Sequence, residues 1–256
     1  MLKNDRGEDT LRFRYHHPVP NFYKVENPKN PLKTISDKAL KEFEDLIIKE
    51  GFSGFCYSYL DEKDYSKFQK DSKYVILLKF PISPTILEMD PSPKKCKDMD
   101  DEFQWVAPSL FKLNDFLRAQ GFACELINPV DDDLSLRNLA IKSNEAVITR
   151  SNMCLFEDGL TMSIFALACS IENLPLKKDN ELLWVREYCS TCGKCIDSCS
   201  HNAFDENEKI IPRNCPAHRD GCSDCILICP LFKKDINEFK NKYELKMKKL
   251  AERGLL

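Results

Sequence analysis

Residues 189–199 read CSTCGKCIDSC and residues 222–230 read CSDCILICP, with a further cysteine, Cys215, between them. The first stretch has the spacing Cys-x2-Cys-x2-Cys-x3-Cys, and the second repeats its end as Cys-x2-Cys-x3-Cys-Pro. Eight of the 13 cysteines fall in this part of the chain, while the other five are scattered singly through the first two-thirds. Clustered cysteines at short, regular spacings predict metal binding here.

The spacing of the first stretch is the one with which bacterial ferredoxins bind 4Fe-4S clusters. Three thiolates this close in sequence can wrap one face of a cubane, and the fourth cysteine of the run binds the other cluster. The sequence therefore predicts two 4Fe-4S clusters. One would be bound by Cys189, Cys192, Cys195 and Cys229, and the other by Cys199, Cys215, Cys222 and Cys225.

Two details of the cysteine pattern depart from a standard two-cluster ferredoxin. Ser200 replaces the usual proline after the fourth cysteine, and the interval from Cys215 to Cys222 is longer, which predicts an inserted turn at Pro216 and Gly221. Zinc is the alternative, because eight thiolates can also form two four-cysteine zinc sites. Zinc motifs usually pair CxxC knuckles, so the triple run favours clusters.

The bulk composition excludes several classes of protein. The formal net charge of the 256 residues is -3, which gives no basic footprint for a nucleic-acid-binding protein. No stretch approaches the roughly 20 apolar residues that span a bilayer, and the charged N-terminus lacks the apolar run of a signal peptide. We therefore expect no membrane association, a cytoplasmic location and reduced thiols.

Four parts of the chain differ in composition and periodicity. We predict an α/β (α+β) domain followed by a small ferredoxin-like domain with two clusters. The predicted boundaries are an extended N-terminal arm at 1–35, an α/β cofactor or substrate domain at 36–185, a double 4Fe-4S domain at 186–232 and an amphipathic helix at 233–256.

Apolar periodicity predicts the elements of the α/β domain. Ser36 or Asp37 caps a helix that Gly51 ends, and the apolar run of residues 74–80 predicts a central strand. Other predicted elements are strands at 52–59, 122–127, 147–149 and 163–169, a polar loop at 90–101, a helix at 102–120 that Pro108 kinks or restarts, and a short helix capped by Asp131, Asp132 and Asp133.

Beyond the cysteines, several stretches resemble the epoxyqueuosine reductase family, whose cluster domain is shared with the reductive dehalogenases. They are FEDLIIKEGFSG at 43–54, SKYVIL at 72–77, LAIKS at 139–143 and RSN at 150–152. The resemblance covers most of residues 36–232. It implies a reductase in which two clusters feed electrons to a cobalamin bound by the N-terminal domain.

The chain departs from this family at two points. Residues 143–152, SNEAVITRSN, lack the glycines that members carry there, and glycine allows close approach to a ligand. The chain ends soon after the cysteines, without the helical extension of many tRNA-acting members, so we expect no tRNA substrate. Asp101 matches the position of their catalytic aspartate, but with Asp100 it can simply cap a helix, and we assign no catalytic residue.

We therefore expect an oxygen-sensitive iron–sulfur oxidoreductase that acts on a small molecule or a protein-bound substrate. Its electrons would come from a donor such as ferredoxin or flavodoxin, for which the lysine-rich face after residue 233 is a candidate docking surface. The alternative is an electron-transfer protein without its own substrate, which reduces a partner such as a corrinoid protein.

Overall fold

The computed structural model describes residues 23–65, 68, 72–127, 134–161, 163–233 and 235–254, and the backbone of 2–3, 9–12 and 18–19. The backbone before residue 20 forms a small antiparallel sheet of three strands, β1 Leu2–Lys3, β2 Asp9–Arg12 and β3 Pro18–Val19. Residues 23–36 then run without helix or strand. The Asp115 carboxylate accepts hydrogen bonds from the backbone N–H groups of Lys24 and Val25, at 2.9 and 3.1 Å, and so fastens this segment.

The remaining strands form a four-stranded sheet and a three-stranded hairpin sheet. They are β4 Gly54–Tyr59, β5 Tyr74–Phe80, β6 Cys124–Ile127, β7 Ala146–Ile148, β8 Cys154–Phe156, β9 Gly159–Thr161 and β10 Ser163–Cys169. The larger sheet has the order β4-β5-β10-β6 and every pairing in it is antiparallel. The predicted central position of β5 is confirmed. The mixed α and β architecture is also confirmed, and the pairing makes it α+β.

Eleven helices lie along the described residues. They are α1 Asp37–Lys49, α2 Glu62–Tyr65, α3 Pro84–Glu88, α4 Pro93–Ala119, α5 Leu136–Lys142, α6 Trp184–Cys192, α7 Lys194–Asp197, α8 Ala217–Asp220, α9 Asp224–Leu227, α10 Pro230–Lys233 and α11 Ile236–Glu252. Ser36 caps α1 as predicted, because its side chain accepts from the N–H of Ala39. Ser135 caps α5 in the same way. The predicted cap at residues 131–133 lies outside the described residues.

The predicted polar loop at residues 90–101 is wrong from Pro93 onward, because residues 93–101 form the first turns of α4. Ser92 provides the N-cap and Pro93 stands at the first position, where its missing N–H costs nothing. Two ion pairs at i,i+4 spacing, between Lys94 and Asp98 and between Lys97 and Asp101, support the exposed side. The sequence of this segment is polar, which is why it predicts a loop. Two of its charged residues, Lys95 and Asp100, are nevertheless buried in the structure, whereas such residues usually face water.

Two expectations attached to this segment also change. The helix does not restart at Pro108, which is exposed, so water can satisfy the carbonyl that its missing N–H leaves free. Asp101 neither caps the helix nor opens it, since it lies within α4 and pairs with Lys97 at 3.9 Å. The structure thus gives Asp101 a place on a helix surface.

Alternate residues of β5 face two different cores. Ile76 and Leu78 pack with α1 and α4, where the rings of Phe43 and Phe116 stack at 5.7 Å between centroids. Val75 and Leu77 face the opposite side, which α5 covers. The sheet is therefore a middle layer between helices.

The cysteine-rich region is built differently from the rest. Its short helices α6–α10 join through tight turns, with one isolated β-bridge between Phe204 and Ile210. A third core links it to the hairpin sheet, because Val147 and Leu155 pack with Val185 and Leu231. The predicted domain boundaries and the ferredoxin-like arrangement stay predictions. None of the described helices is long and apolar enough to cross a bilayer.

Candidate metal centres

A cavity with about 310 Å³ of empty space, part of it open to solvent, lies between the cysteine-rich region and the hairpin sheet. The four cysteines assigned to the first cluster, Cys189, Cys192, Cys195 and Cys229, line it together. The other lining residues are Thr149, Arg150, Ser151, Tyr188, Gly193, Lys194, Pro230 and Leu231. Three cysteines from one short stretch and a fourth from a later part of the chain thus line one space.

The local fold explains how three of these cysteines converge. Cys189 lies in the last turns of α6, and Cys192 ends this helix. Gly193 then adopts a left-handed conformation with φ 65°, which starts α7 in a new direction and carries Cys195 back toward the cavity. Cys229 arrives from the other stretch, just before Pro230 begins α10.

Backbone N–H groups point at the thiols of this cavity. Burial raises the pKa of the Cys189 thiol, while a hydrogen bond from the N–H of Arg150 lowers it. Burial likewise raises the pKa of Cys229, while hydrogen bonds from the N–H groups of Leu231 and Phe232 lower it. Donors aimed at sulfur are the groups that stabilise thiolate ligands and tune the metal they bind.

Neighbouring thiols also oppose each other's ionisation. Burial first, and then the charges of Cys189 and Cys229, together raise the pKa of Cys195 to about 11. A bare set of buried thiolates is therefore unfavourable, and a cationic centre between them would remove the repulsion. The donor set fits a metal centre that binds thiolates.

The other cysteines of the second set lie in the neighbourhood of Cys225. Burial first, and then the charges of Cys195, Cys222, Cys215 and Cys199 in decreasing order, together raise the pKa of Cys225 to about 12. The thiol of Cys225 therefore senses the three other members of its predicted set. It also senses Cys195 of the first set, because α7 packs against α9.

The longer interval before Cys222 contains the predicted turn. Pro216 precedes the single-turn helix α8, and Gly221 ends it in the left-handed conformation at φ 67°. A Cβ at Gly221 would lie 3.0 Å from Cγ of Lys95 and 3.2 Å from the backbone nitrogen of Cys96. The turn thus brings Cys222 close to the first turn of α4.

Arg150 ties the cavity wall to the cysteine-rich region. It lies in the turn after β7, and its guanidinium pairs with the carboxylate of Glu208 at 2.7 Å. The same turn is closed by a hydrogen bond from the N–H of Asn152 to the carbonyl of Thr149. The sequence resemblance includes Arg150 but does not indicate this ion pair, because no local pattern reveals a partner 58 residues away.

Four aromatic side chains hold α11 against α6 beside the cavity. The centroids of Tyr188 and Phe239 are 4.9 Å apart, and those of Trp184 and Tyr243 are 5.5 Å apart. Burial raises the pKa of Tyr188, as does its contact with the Cys192 thiol. The lysine-rich helix therefore lies next to the first cysteine set.

The segment at 143–152, which the resemblance places near a corrin, keeps the glycine-like backbone at two positions. Asn144 and Asn152 have φ angles of 58° and 61°, in the region that glycine and asparagine tolerate best. Between them, Ala146 and Val147 are fully buried in protein cores. The segment thus carries side chains at the positions where the resembling family has glycines, and we derive no step through cobalamin.

Among the described residues, no three His, Cys, Asp or Glu side chains converge closely enough to bind a single metal ion. The four cysteines of the first set instead line the cavity described above.

The sequence matches no family model and no curated protein significantly, but its fold matches solved structures. A catabolic reductive dehalogenase, NpRdhA, in complex with 3-bromo-4-hydroxybenzoic acid, has 11% identity and a TM-score of 0.68, with 86% of this chain and 36% of that chain covered. A reductive dehalogenase described with a mechanism for B12-dependent dehalogenation has 12% identity and a TM-score of 0.66 over the same shares. A selenomethionine-labelled epoxyqueuosine reductase has 15% identity and a TM-score of 0.53, with 77% of this chain and 66% of that chain covered.

The chain spans about a third of the length of these dehalogenases and 66% of that epoxyqueuosine reductase. At these identities the similarity concerns the fold alone. The predicted resemblance is confirmed at that level: this chain has the fold found in epoxyqueuosine reductases and reductive dehalogenases.

Proposed function

We propose that the chain is an iron–sulfur oxidoreductase that binds two 4Fe-4S clusters and moves electrons between a protein donor and its α+β domain. The observation that carries the proposal is the cysteine cavity, in which Cys189, Cys192, Cys195 and Cys229 face one space and Thr149–Ser151 of the α+β domain form its opposite wall. A carrier that only shuttles electrons would not need its cofactor enclosed by a second domain.

The proposed ligands are the two sets assigned from spacing. When bound, such clusters supply reversible one-electron transfer at potentials that hydrogen bonds, charge and exposure set. The chain's own contribution is to hold the thiolates, to direct the N–H groups of Arg150, Leu231 and Phe232 at sulfur, and to limit solvent around the buried sites.

The proximity of the two sets supports exchange of electrons between them. Cys195, of the first set, lies in α7, and Cys199, of the second set, is the second residue after that helix. Cys225 of the second set senses the charge of Cys195. We expect a variant with Cys199→Ser and Cys225→Ser to keep the secondary structure of the α+β domain but to lose transfer beyond the first site.

We propose an acidic donor protein, such as ferredoxin or flavodoxin, for electron entry. Lys246, Lys248 and Lys249 of α11 are exposed, and α11 packs beside the first cysteine set. Long-range attraction to an acidic donor accelerates association and weakens with salt. The other basic residues of α11 are less available, since Lys240 pairs with Glu181 and Lys242 with Glu238.

The test of this entry face compares two triple variants by stopped-flow reduction with ferredoxin at several salt concentrations. Neutralising the three exposed lysines of α11 to glutamine should lower the rate at low salt and flatten its salt dependence. The matched control neutralises Lys38, Lys41 and Lys49 on α1. Equal effects of the two triples would remove the assignment of the docking face.

The electron acceptor separates the two candidate functions. If the chain is a reductase with a corrin, a titration of the anaerobic, cluster-loaded protein with cob(II)alamin gives a saturable change in the corrin bands. We expect no such change, because residues 143–152 lack the glycines that would allow close approach of a ligand. A saturable change would overturn our interpretation of residues 143–152.

The missing glycines also favour the alternative function, an electron-transfer protein that reduces a partner such as a corrinoid protein. Turnover of an added small molecule by the purified chain with its donor would support the reductase. Reduction of a separate partner protein only would support the carrier. We propose a cytoplasmic location, because cluster thiolates need a reducing compartment.

A further inference from the structure

The ammonium group of Lys95 is buried at the start of α4. Its residue is 1% exposed, although lysine is almost never fully buried unless paired. Nζ lies 2.7 Å from each of three oxygens, the carbonyls of Leu87 and Met89 and the hydroxyl of Ser223. Burial lowers the pKa of this lysine, so its surroundings must stabilise the charge if it is kept.

Three oxygen acceptors around one nitrogen favour the charged form of Lys95. The two carbonyls can only accept, and the hydroxyl of Ser223 also lies 2.7 Å from the carbonyl of Leu87. An ammonium has three N–H bonds and can donate to all three oxygens at once, so this site is built to hold a positive charge.

This charge lies against the second set of cysteines. Ser223 directly follows Cys222, and the N–H of Ser92, the cap of α4, donates to the carbonyl of Asp220 at 2.7 Å. The chain at Gly221 approaches α4 so closely that a Cβ at this position would lie 3.0 Å from Cγ of Lys95. The charge of Cys222 is the first influence that raises the pKa of Lys95, before those of Asp224 and Asp90.

The first cysteine set has two cations beside it, Lys194 and Arg150, but Lys194 is exposed, so water screens its charge, and Arg150 is compensated. The guanidinium of Arg150 pairs with Glu208 at 2.7 Å, so the pair adds little net charge. The three hydrogen-bond acceptors of Lys95 are all uncharged. Asp90 is exposed and Asp224 half-buried, so water screens their charges more than that of Lys95.

We propose that Lys95 is a positioning residue that raises the reduction potential of the centre bound by Cys199, Cys215, Cys222 and Cys225 above that of the other centre. Reduction adds one negative charge to a centre, and a buried positive charge nearby stabilises that state. This inference rests on the proposed clusters. It goes beyond them by stating which centre is reduced first, namely the one bound by the second cysteine set.

The test is a potentiometric titration of the reconstituted full chain, followed by electron paramagnetic resonance. Lys95→Gln keeps donors for two of the three oxygens but removes the charge, and it should shift one centre to lower potential while the other stays unchanged. Lys94→Gln is the control for charge on the same helix, because the side chain of Lys94 is 74% exposed. Ser223→Ala is the control for lost hydrogen bonding with the charge kept, and neither control should shift a centre.

The proposal is overturned if both reduction potentials are unchanged in Lys95→Gln, or if Ser223→Ala shifts a reduction potential by the same amount as Lys95→Gln. If Lys95→Gln fails to fold, the wild-type protein still decides it, by comparison with a Cys229→Ser variant that keeps the second site. The centre surviving in this variant should have the higher of the two wild-type potentials, and the lower value overturns the proposal. A wild-type chain without iron–sulfur signals would overturn the proposed function itself.

Discussion

Replacing Gly221 with alanine tests how the cysteine-rich region is held against α4. The residue has φ 67°, and an added Cβ would lie 3.0 Å from Cγ of Lys95 and 3.2 Å from the backbone nitrogen of Cys96. The left-handed conformation costs a non-glycine residue about 1–2 kcal/mol. The crowding adds about 1–3 kcal/mol, because the Cys96 nitrogen belongs to a helix and cannot give way. We therefore expect Gly221→Ala to destabilise the protein by about 2–5 kcal/mol in total.

The matched control is Gly51→Ala at the end of α1. Gly51 also has a positive φ, of 93°, but nothing lies within 4 Å of its hypothetical Cβ, so this variant carries the backbone cost alone. Thermal unfolding of the reconstituted proteins should show a larger fall in Tm for Gly221→Ala, since 1 kcal/mol corresponds to about 2–4 °C at this size. Equal falls would refute the crowding at Lys95 and Cys96, and an unchanged Tm for Gly221→Ala would refute the docking geometry.

Three further predictions concern the α+β domain and its contact with the cavity. Asn152 has φ 61° and is exposed, so Asn152→Gly should be nearly neutral while Asn152→Ala should cost about 1–2 kcal/mol in urea unfolding; the reverse order would contradict a glycine-like backbone there. Burial raises the pKa of Cys56 and of Cys154 to about 12 from 9.0, so the folded state keeps protons that the unfolded chain loses. Stability should therefore be complete below about pH 9 and fall above it, by up to about 1.4 kcal/mol per pH unit for each thiol, as urea midpoints across this range would show; a flat profile would contradict the burial. Arg150→Met and Glu208→Gln should each cost about 0.5–1 kcal/mol and be non-additive in a double-mutant cycle, because Glu208 is half exposed; simple additivity would exclude the pair.

Local signals predict much of the α+β domain. The cap at Ser36 and the stop at Gly51 mark α1, because both act within one turn of the helix end. The apolar runs at Tyr74–Phe80 and Ser163–Cys169 are strands with the predicted bounds. Such runs can be read because a strand buried on both faces needs apolar residues throughout.

The start of α4 could not be predicted in this way. Its sequence is polar, and the helix is settled by the burial of Lys95, whose partners lie in α3, in the residue after it and at Ser223. Contacts over 128 residues leave no periodic trace in the sequence. The single available signal was Ser92 before Pro93, a combination typical of a helix start.

At the candidate site, short-range spacing indicates which residues bind but not what surrounds them. The triple run from Cys189 to Cys195 predicts a shared cavity, because a tight turn at Gly193 is enough to bring these thiols together. The wall formed by Thr149–Ser151 depends on the packing of the hairpin sheet and could not be inferred.

The central claim is that eight cysteines bind two separate 4Fe-4S clusters, and metal analysis of single-site variants tests it most directly. After anaerobic reconstitution, the wild-type chain should contain about eight iron and eight sulfide ions. Cys229→Ser and Cys215→Ser should each lose about half of both, and they should lose different paramagnetic resonance signals. Stoichiometric zinc without sulfide, or loss of the same signal in both variants, would contradict the account.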